Sequence, residues 1–121
     1  MIRFINCMRK RPGMSSEQFR QYWNDTKFDA IIGRVVEYTG AAGYSKNLTL
    51  LVAANELMQE RRGGSAQPFD GVLEYWWDDG ARLNSVLHTP QCDLLMKSML
   101  EYQREFVDLE NSCAFFAEAQ A

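Results

Sequence analysis

The sequence predicts an α+β domain built on a four-stranded antiparallel sheet that carries its helices on one face. Three observations support this fold class. The length of 121 residues is that of one domain. Short apolar segments with strand character alternate with segments of helical periodicity, and their order is β-α-β-insertion-β-α-β. We therefore expect residues 1–121 to form a single domain.

The N-terminal half supplies two strands and a long helix. The apolar run 2–8 predicts the first strand, and Pro12-Gly13 predicts the turn that follows it. Ser15 and Gln18 form a capping-box pattern that starts a helix of about five turns. Residues 44–52 alternate in polarity and predict the second strand.

The C-terminal half repeats the strand–helix–strand order after an insertion. Residues 53–61 have helical character and end in a glycine-rich loop. The segment 72–77 is β-branched and aromatic, which predicts a strand. A short helix over 81–87 is followed by a second helix that Thr89 caps with Pro90 at its first position. Residues 112–119 predict the last strand.

Such an order is typical of the ferredoxin-like fold, which leaves one face of the sheet uncovered by its own chain. Bulky side chains occupy both faces of the strand 72–77, apart from Glu74, so the open face is expected to be apolar. A second copy packed back to back would bury it and give a dimeric α+β barrel, a homodimer. The alternative is a monomer whose sheet face is polar.

The composition of the sequence indicates which kinds of partner and cofactor the protein is expected to lack. A net charge of −3 disfavours nucleic acid, and we interpret the basic run Arg9-Lys10-Arg11 as a solvated strand end. No signal-peptide pattern or run of about 20 apolar residues is present, which predicts a cytoplasmic protein that has no membrane partner. Cys7, Cys92 and Cys113 are widely spaced, which is typical of reduced thiols. With a single histidine we expect no metal site, and no cofactor motif is present.

Three segments together resemble the EthD-type family of the dimeric α+β barrel proteins. They are the first strand and turn leading to Glu17-x-Phe19-x-x-Tyr22-Trp23, then Asp70-Gly71-Val72 before the aromatic strand, and Phe106-Val107-Asp108 leading to Ser112 and Phe115-Phe116. The resemblance implies the same fold, a homodimer, and a pocket between sheet and helices in each subunit. It also implies a role in the breakdown of ethers and aromatics or in polyketide tailoring. Relatives in the wider superfamily include cyclases, cofactor-free monooxygenases, isomerases and dehydratases.

One position departs from the family pattern. The tryptophan of the first helix is commonly followed four residues later by a histidine, and here that residue is Lys27. An ordinary lysine has a pKa near 10.4 instead of about 6.5, so Lys27 could shuttle a proton at neutral pH only if burial lowered its pKa.

The candidate catalytic residues are His88, Glu74 and Tyr22. His88 is the one side chain whose ordinary pKa lies near neutrality, so it could act as a general acid or base; alternatively it bonds the loop backbone before a helix. Glu74 is either a buried base or the partner of Arg3. Tyr22 could donate a hydrogen bond to a substrate oxygen. Candidate substrate-binding residues are Trp23, Lys27, Tyr44, Tyr75 and Asn6.

Two functional hypotheses follow, with a third as a weaker possibility. The first is a cofactor-independent enzyme of oxidoreductase, cyclase, isomerase or dehydratase type that acts on a small apolar aromatic, ether or polyketide-like compound. His88 would be its proton shuttle, and His88→Ala would abolish turnover. The second is a non-catalytic protein that binds a hydrophobic ligand for a partner enzyme. The third is a domain that serves only assembly.

Overall fold

The computed structural model describes residues 1–120 and has the predicted α+β ferredoxin-like fold. Its strands and helices, in chain order, are β1 (Ile2–Met8), α1 (Ser16–Trp23), α2 (Thr26–Thr39), β2 (Gly43–Leu48), α3 (Ala54–Arg61), β3 (Gly71–Trp77), α4 (Ala81–Val86), α5 (Pro90–Gln103) and β4 (Cys113–Glu118). The four strands form one antiparallel sheet in the order β2-β3-β1-β4. Both strand–helix–strand halves therefore place their strands as predicted.

The predicted five-turn helix is two helices, which is a correction to the sequence analysis. The capping box of Ser15 and Gln18 starts α1 as expected, but α1 ends at Trp23. The side chain of Asp25 then caps α2, because its carboxylate accepts a hydrogen bond from the backbone N–H of Lys27 at 2.8 Å. An aspartate in this role satisfies an otherwise free N–H of a new helix, and this favours the break.

The second strand is shorter than predicted. It ends at Leu48, which lies opposite Gly71, the first residue of β3. Beyond that pair no strand of the described chain is available to continue the ladder, and Leu50 and Leu51 are 69% and 66% exposed. The alternating polarity of residues 49–52 predicted a continuation of the strand, and that prediction was wrong.

The helix-covered face of the sheet carries the core. Leu73, Tyr75 and Trp77 of β3 are all buried there, together with Met8 of β1. Gly71 lies at the entry to β3 because a Cβ atom at this position would stand only 2.7 Å from the Trp23 ring. The close approach of helix α1 to the sheet thus requires glycine.

The open face is more mixed in polarity than the sequence predicted. The Arg3 guanidinium is 3.5 Å from the Glu74 carboxylate and lies 5.0 Å from the centre of the Trp76 ring. Ile5 is partly buried, and Phe115 of β4 is 46% exposed on the same face. The open face therefore combines apolar side chains with an ion pair.

Candidate functional site

A cavity of about 270 Å³ lies between the helix-covered face of the sheet and helices α2, α4 and α5. Strands β1 and β3 form its floor, and α2 contributes one wall. Helix α5 forms the opposite wall with Met96, Met99 and Leu100.

The lining of this cavity is apolar and includes no charged side chain. Two of its polar groups are already satisfied within the chain. The Thr39 hydroxyl donates a hydrogen bond to the Val35 carbonyl at 2.7 Å, and the Trp77 indole N–H donates one to the Thr39 carbonyl at 3.1 Å. The first bond lies within α2, and the second joins the C-terminal end of α2 to β3.

Tyr75 and Asn6 are the polar groups on the cavity floor. Asn6 donates from its side-chain amide to the Leu73 carbonyl at 3.2 Å, which fixes the amide against β3. Tyr75 is 4% exposed, and burial, followed by the nearby Tyr44, raises its pKa well above the ordinary value. Tyr38 and Tyr102 have hydrogen-bonded hydroxyls, whereas the Tyr75 hydroxyl has no such bond within residues 1–120. Tyr75 is therefore a protonated donor beside an apolar space.

The lining residues that are exposed to solvent lie on α5 and on the edge strand β4. Three of the lining side chains are substantially exposed, namely Phe116 at 50%, Met96 at 40% and Leu100 at 38%. A group of exposed apolar side chains that borders a pocket is typical of a ligand-binding groove. We call these three residues the mouth of the cavity.

The three predicted catalytic residues do not meet at this cavity. His88 is exposed at the junction of α4 and α5, and Glu74 lies on the open face of the sheet. Tyr22 stacks on Phe106 with ring centres 5.3 Å apart and belongs to an aromatic cluster outside the lining. Glu74 alternates with the cavity-facing Tyr75 along β3, so the pleat of the strand points its side chain to the opposite face of the sheet.

The predicted substrate-binding residues divide into two groups. Asn6 and Tyr75 line the cavity. Trp23 is a core residue, 1% exposed, and Lys27 is exposed near the start of α2. Tyr44 is 40% exposed and lies directly across the strand pair from Tyr75, without lining the cavity.

Several residues that line the cavity were not predicted from the sequence. Gln103, Met96 and Leu100 on α5 and Thr39 on α2 all border the cavity. The spacing of Met96, Met99 and Leu100 by three and four residues was a usable signal, because such positions share one helix face. Helical periodicity does not tell a cavity wall from a packed core.

Among residues 1–120 no group of three His, Cys, Asp or Glu side chains could hold a metal ion. No helix within the same residues is both long and apolar enough to span a membrane.

A ferredoxin-like sheet, covered by helices on one face and enclosing an uncharged cavity, defines a class of small α+β proteins that have an internal pocket. Within that class, residues 11–109 match the model of the EthD domain. The chain belongs to the EthD family, as the sequence predicted. No curated protein matches it in sequence.

Solved structures of similar fold support the architecture. An EthD family protein of Bacillus halodurans C-125 has 12% identity and a TM-score of 0.60, with 99% of this chain and 100% of that chain covered. A dimeric ferredoxin-like protein of unknown function from Bacteroides fragilis has 10% identity and a TM-score of 0.59, with coverages of 98% and 95%. A variant of SnoaB, a cofactor-independent oxygenase of Streptomyces nogalater, has 12% identity and a TM-score of 0.52, with coverages of 99% and 93%. At these identities the likeness shows the fold alone.

Proposed function

We propose that the protein is a cofactor-independent enzyme that acts on a small, neutral, largely apolar compound bound in the cavity. The observation that supports this most directly is the buried Tyr75 at the floor of an uncharged apolar cavity, where burial raises the pKa of its hydroxyl above the ordinary value. Membership of the EthD family and the fold shared with a cofactor-independent oxygenase support it further. The reaction would be of oxidoreductase, cyclase, isomerase or dehydratase type on an aromatic, ether or polyketide-like compound.

The charge and size of the cavity limit its ligand. Burial of an ionised group without a charged partner costs several kcal/mol, and no charged side chain lines the cavity. An anionic or cationic ligand is therefore disfavoured. A dry cavity of about 150 Å³ holds benzene, so a cavity of about 270 Å³ suits a molecule of one or two rings.

Tyr75 is the group we assign to the ligand oxygen. Its hydroxyl would donate a hydrogen bond to a carbonyl, ether or phenol oxygen and stabilise negative charge that develops there. In a water-excluded site one such donor contributes on the order of 10²–10³ in rate. Asn6, held by its bond to Leu73, would orient the same end of the ligand.

The cavity should discriminate between ligands by their charge, and Tyr75 should contribute to the affinity for a ligand that has an oxygen atom. We expect calorimetry to detect binding of 1-tetralone, weaker binding of naphthalene and none of 2-naphthoate. Tyr75→Phe should weaken 1-tetralone binding about tenfold, since one hydrogen bond of about 1.4 kcal/mol is lost, and leave naphthalene unchanged. His88→Ala is the matched control and should change neither affinity, because His88 lies outside the cavity lining. Preferential binding of 2-naphthoate would contradict the proposal.

A non-catalytic ligand-binding role is the second candidate. It is favoured by the titratable groups of the lining, Tyr75 and Cys92, because burial raises the pKa of both. Neither group changes protonation near pH 7, where a general acid or base would have to do so. Saturable binding of a neutral ligand, with no product in mass spectrometry and no oxygen uptake, would favour this role over the enzyme.

We also propose that the open sheet face packs on a second copy, as the similar B. fragilis protein is described as dimeric. Light scattering should give twice the mass of one chain. Phe115→Lys should shift the protein toward the monomer, since it places a charge on the open face. The control Leu94→Lys changes an exposed apolar residue on α5, away from the open face, and should leave the dimer intact. A monomeric unmodified protein would contradict the proposal.

A further inference from the structure

The wall that α5 forms contains one amide side chain among apolar and sulfur-containing ones. The residues of this helix that share one cavity-facing side follow each other at spacings of four, three and four positions, namely Cys92, Met96, Met99 and Gln103. The amide of Gln103 makes no side-chain hydrogen bond within residues 1–120, and only its backbone carbonyl is bonded outside the helix. An amide in apolar surroundings without such a bond is unfavourable, so Gln103 leaves a polar group for a ligand to satisfy.

Asn6 on the cavity floor has a free acceptor. Its side-chain nitrogen donates to the Leu73 carbonyl, and a carbonyl can only accept, so the side-chain oxygen is the atom that remains. That oxygen accepts no hydrogen bond within residues 1–120. No buried side-chain oxygen or nitrogen of these residues lacks a partner, so the free atoms of Asn6 and Gln103 must border open space. For Asn6, on the helix-covered face of the sheet, that space is the cavity.

Asn6 and Gln103 lie at the same end of the cavity. Gln103 is the last residue of α5, and a few residues later the chain returns to the end of β1, where the Asp108 N–H donates to the Arg9 carbonyl at 2.8 Å. Asn6 is in the C-terminal half of β1, close to that junction. The other end of the cavity is apolar and is formed by Trp77, Leu83 and Leu87.

We infer that Asn6 and Gln103 form a subsite that binds a ligand hydroxyl and thereby determines specificity. The inference rests on the proposed function, in which Tyr75 donates to a ligand oxygen. A hydroxyl would donate to the free oxygen of Asn6 and accept from the amide nitrogen of Gln103. The ligand class is then a neutral aromatic ketone that carries a free hydroxyl. A methoxy group can only accept, so it would leave the Asn6 oxygen unpaired.

Calorimetry with a series of ketones tests this subsite in the full chain. The series is 1-tetralone, its 5-, 6- and 7-hydroxy derivatives, and the three methoxy compounds with the same substitution. The positions direct the substituent differently while the ketone remains available to Tyr75. We expect at least one hydroxy compound to bind about tenfold more tightly than both 1-tetralone and its methoxy counterpart, because a net hydrogen bond is gained.

A variant of the glutamine assigns the preference to the subsite. Gln103→Met keeps the length of the side chain and removes its amide, so the affinity for 1-tetralone should stay within about twofold while the hydroxyl preference disappears. Gln103 is partly exposed, so the variant should fold. Gln91→Met is the matched control, because Gln91 is also on α5 but borders the outer groove instead of the cavity. It should keep the full preference for the hydroxy compound.

The possible failures are distinguishable. If 1-tetralone binds but no hydroxy compound binds better than its methoxy counterpart, the hydroxyl subsite is refuted and the proposed use of the cavity stands. A preference that persists in Gln103→Met refutes the subsite as well. If none of the ketones binds, the proposed function fails, and the subsite fails with it.

Discussion

Replacement of Leu100 by tryptophan is expected to abolish ligand binding in the cavity while the protein stays folded. Leu100 is one of the three mouth residues and is 38% exposed, so a larger side chain can be accommodated toward solvent without disturbance of the core. An indole at this position would occupy the entrance and part of the 270 Å³ behind it. We expect at least a hundredfold loss of 1-tetralone affinity, measured by calorimetry, with an unchanged far-ultraviolet circular dichroism spectrum.

The control for this result is Leu94→Trp. Leu94 is on the same helix and is 65% exposed, but it borders an outer groove between α2 and α5 instead of the cavity. The Leu94→Trp variant should bind 1-tetralone with the same affinity as the unmodified protein. Equal affinity for the unmodified protein and the Leu100 variant would show that ligands do not use this cavity.

Trp23→Ala should lower the free energy of unfolding by about 4 kcal/mol, which is typical of a buried aromatic residue truncated to alanine. Trp23 is 1% exposed and packs on Phe19 and Phe28, with ring centres 5.7 and 5.5 Å away. Its ring also fills the space over Gly71, where a small residue leaves room for it. Truncation would leave a large void between α1 and the sheet.

Urea unfolding followed by circular dichroism measures this loss. Trp23→Phe keeps an aromatic ring and should cost clearly less, while it leaves the affinity for 1-tetralone unchanged because Trp23 does not line the cavity. A loss below about 1 kcal/mol for Trp23→Ala would argue against a core role. A selective loss of ligand affinity in Trp23→Phe would instead restore the role in substrate binding that the sequence suggested.

The order of elements was predictable from the sequence because its signals are local. Ser15 with Gln18 and Thr89 with Pro90 mark helix starts through backbone hydrogen bonds that lie within a few residues. The break at Asp25 depended on an equally local cap, which the apolar spacing of the surrounding helix concealed. Most of the order of strands and helices could therefore be predicted from interactions between residues that are close in the sequence.

The candidate site was less predictable because it depends on strand register. Asn6 and Tyr75 share the cavity floor since Asn6 lies opposite Leu73 while Tyr75 lies opposite Phe4. Nothing within the strand 71–77 tells which of its two faces meets the helices, so Glu74 and Tyr75 were equally plausible as site residues. The direction of His88 was similarly open, because a junction between helices has no periodicity from which to infer it.

The two ends of the segment between β2 and β3 are hydrogen-bonded to each other where the segment leaves the sheet. The Thr49 amide donates to the Asp70 carbonyl at 3.0 Å, and the Thr49 hydroxyl bonds the Phe69 carbonyl, while α3 contributes no buried residue. The two strands are thus already joined where the segment leaves the sheet. Insertions, deletions and substitutions in the residues beyond these hydrogen bonds should therefore leave the geometry of the sheet and its cavity unchanged.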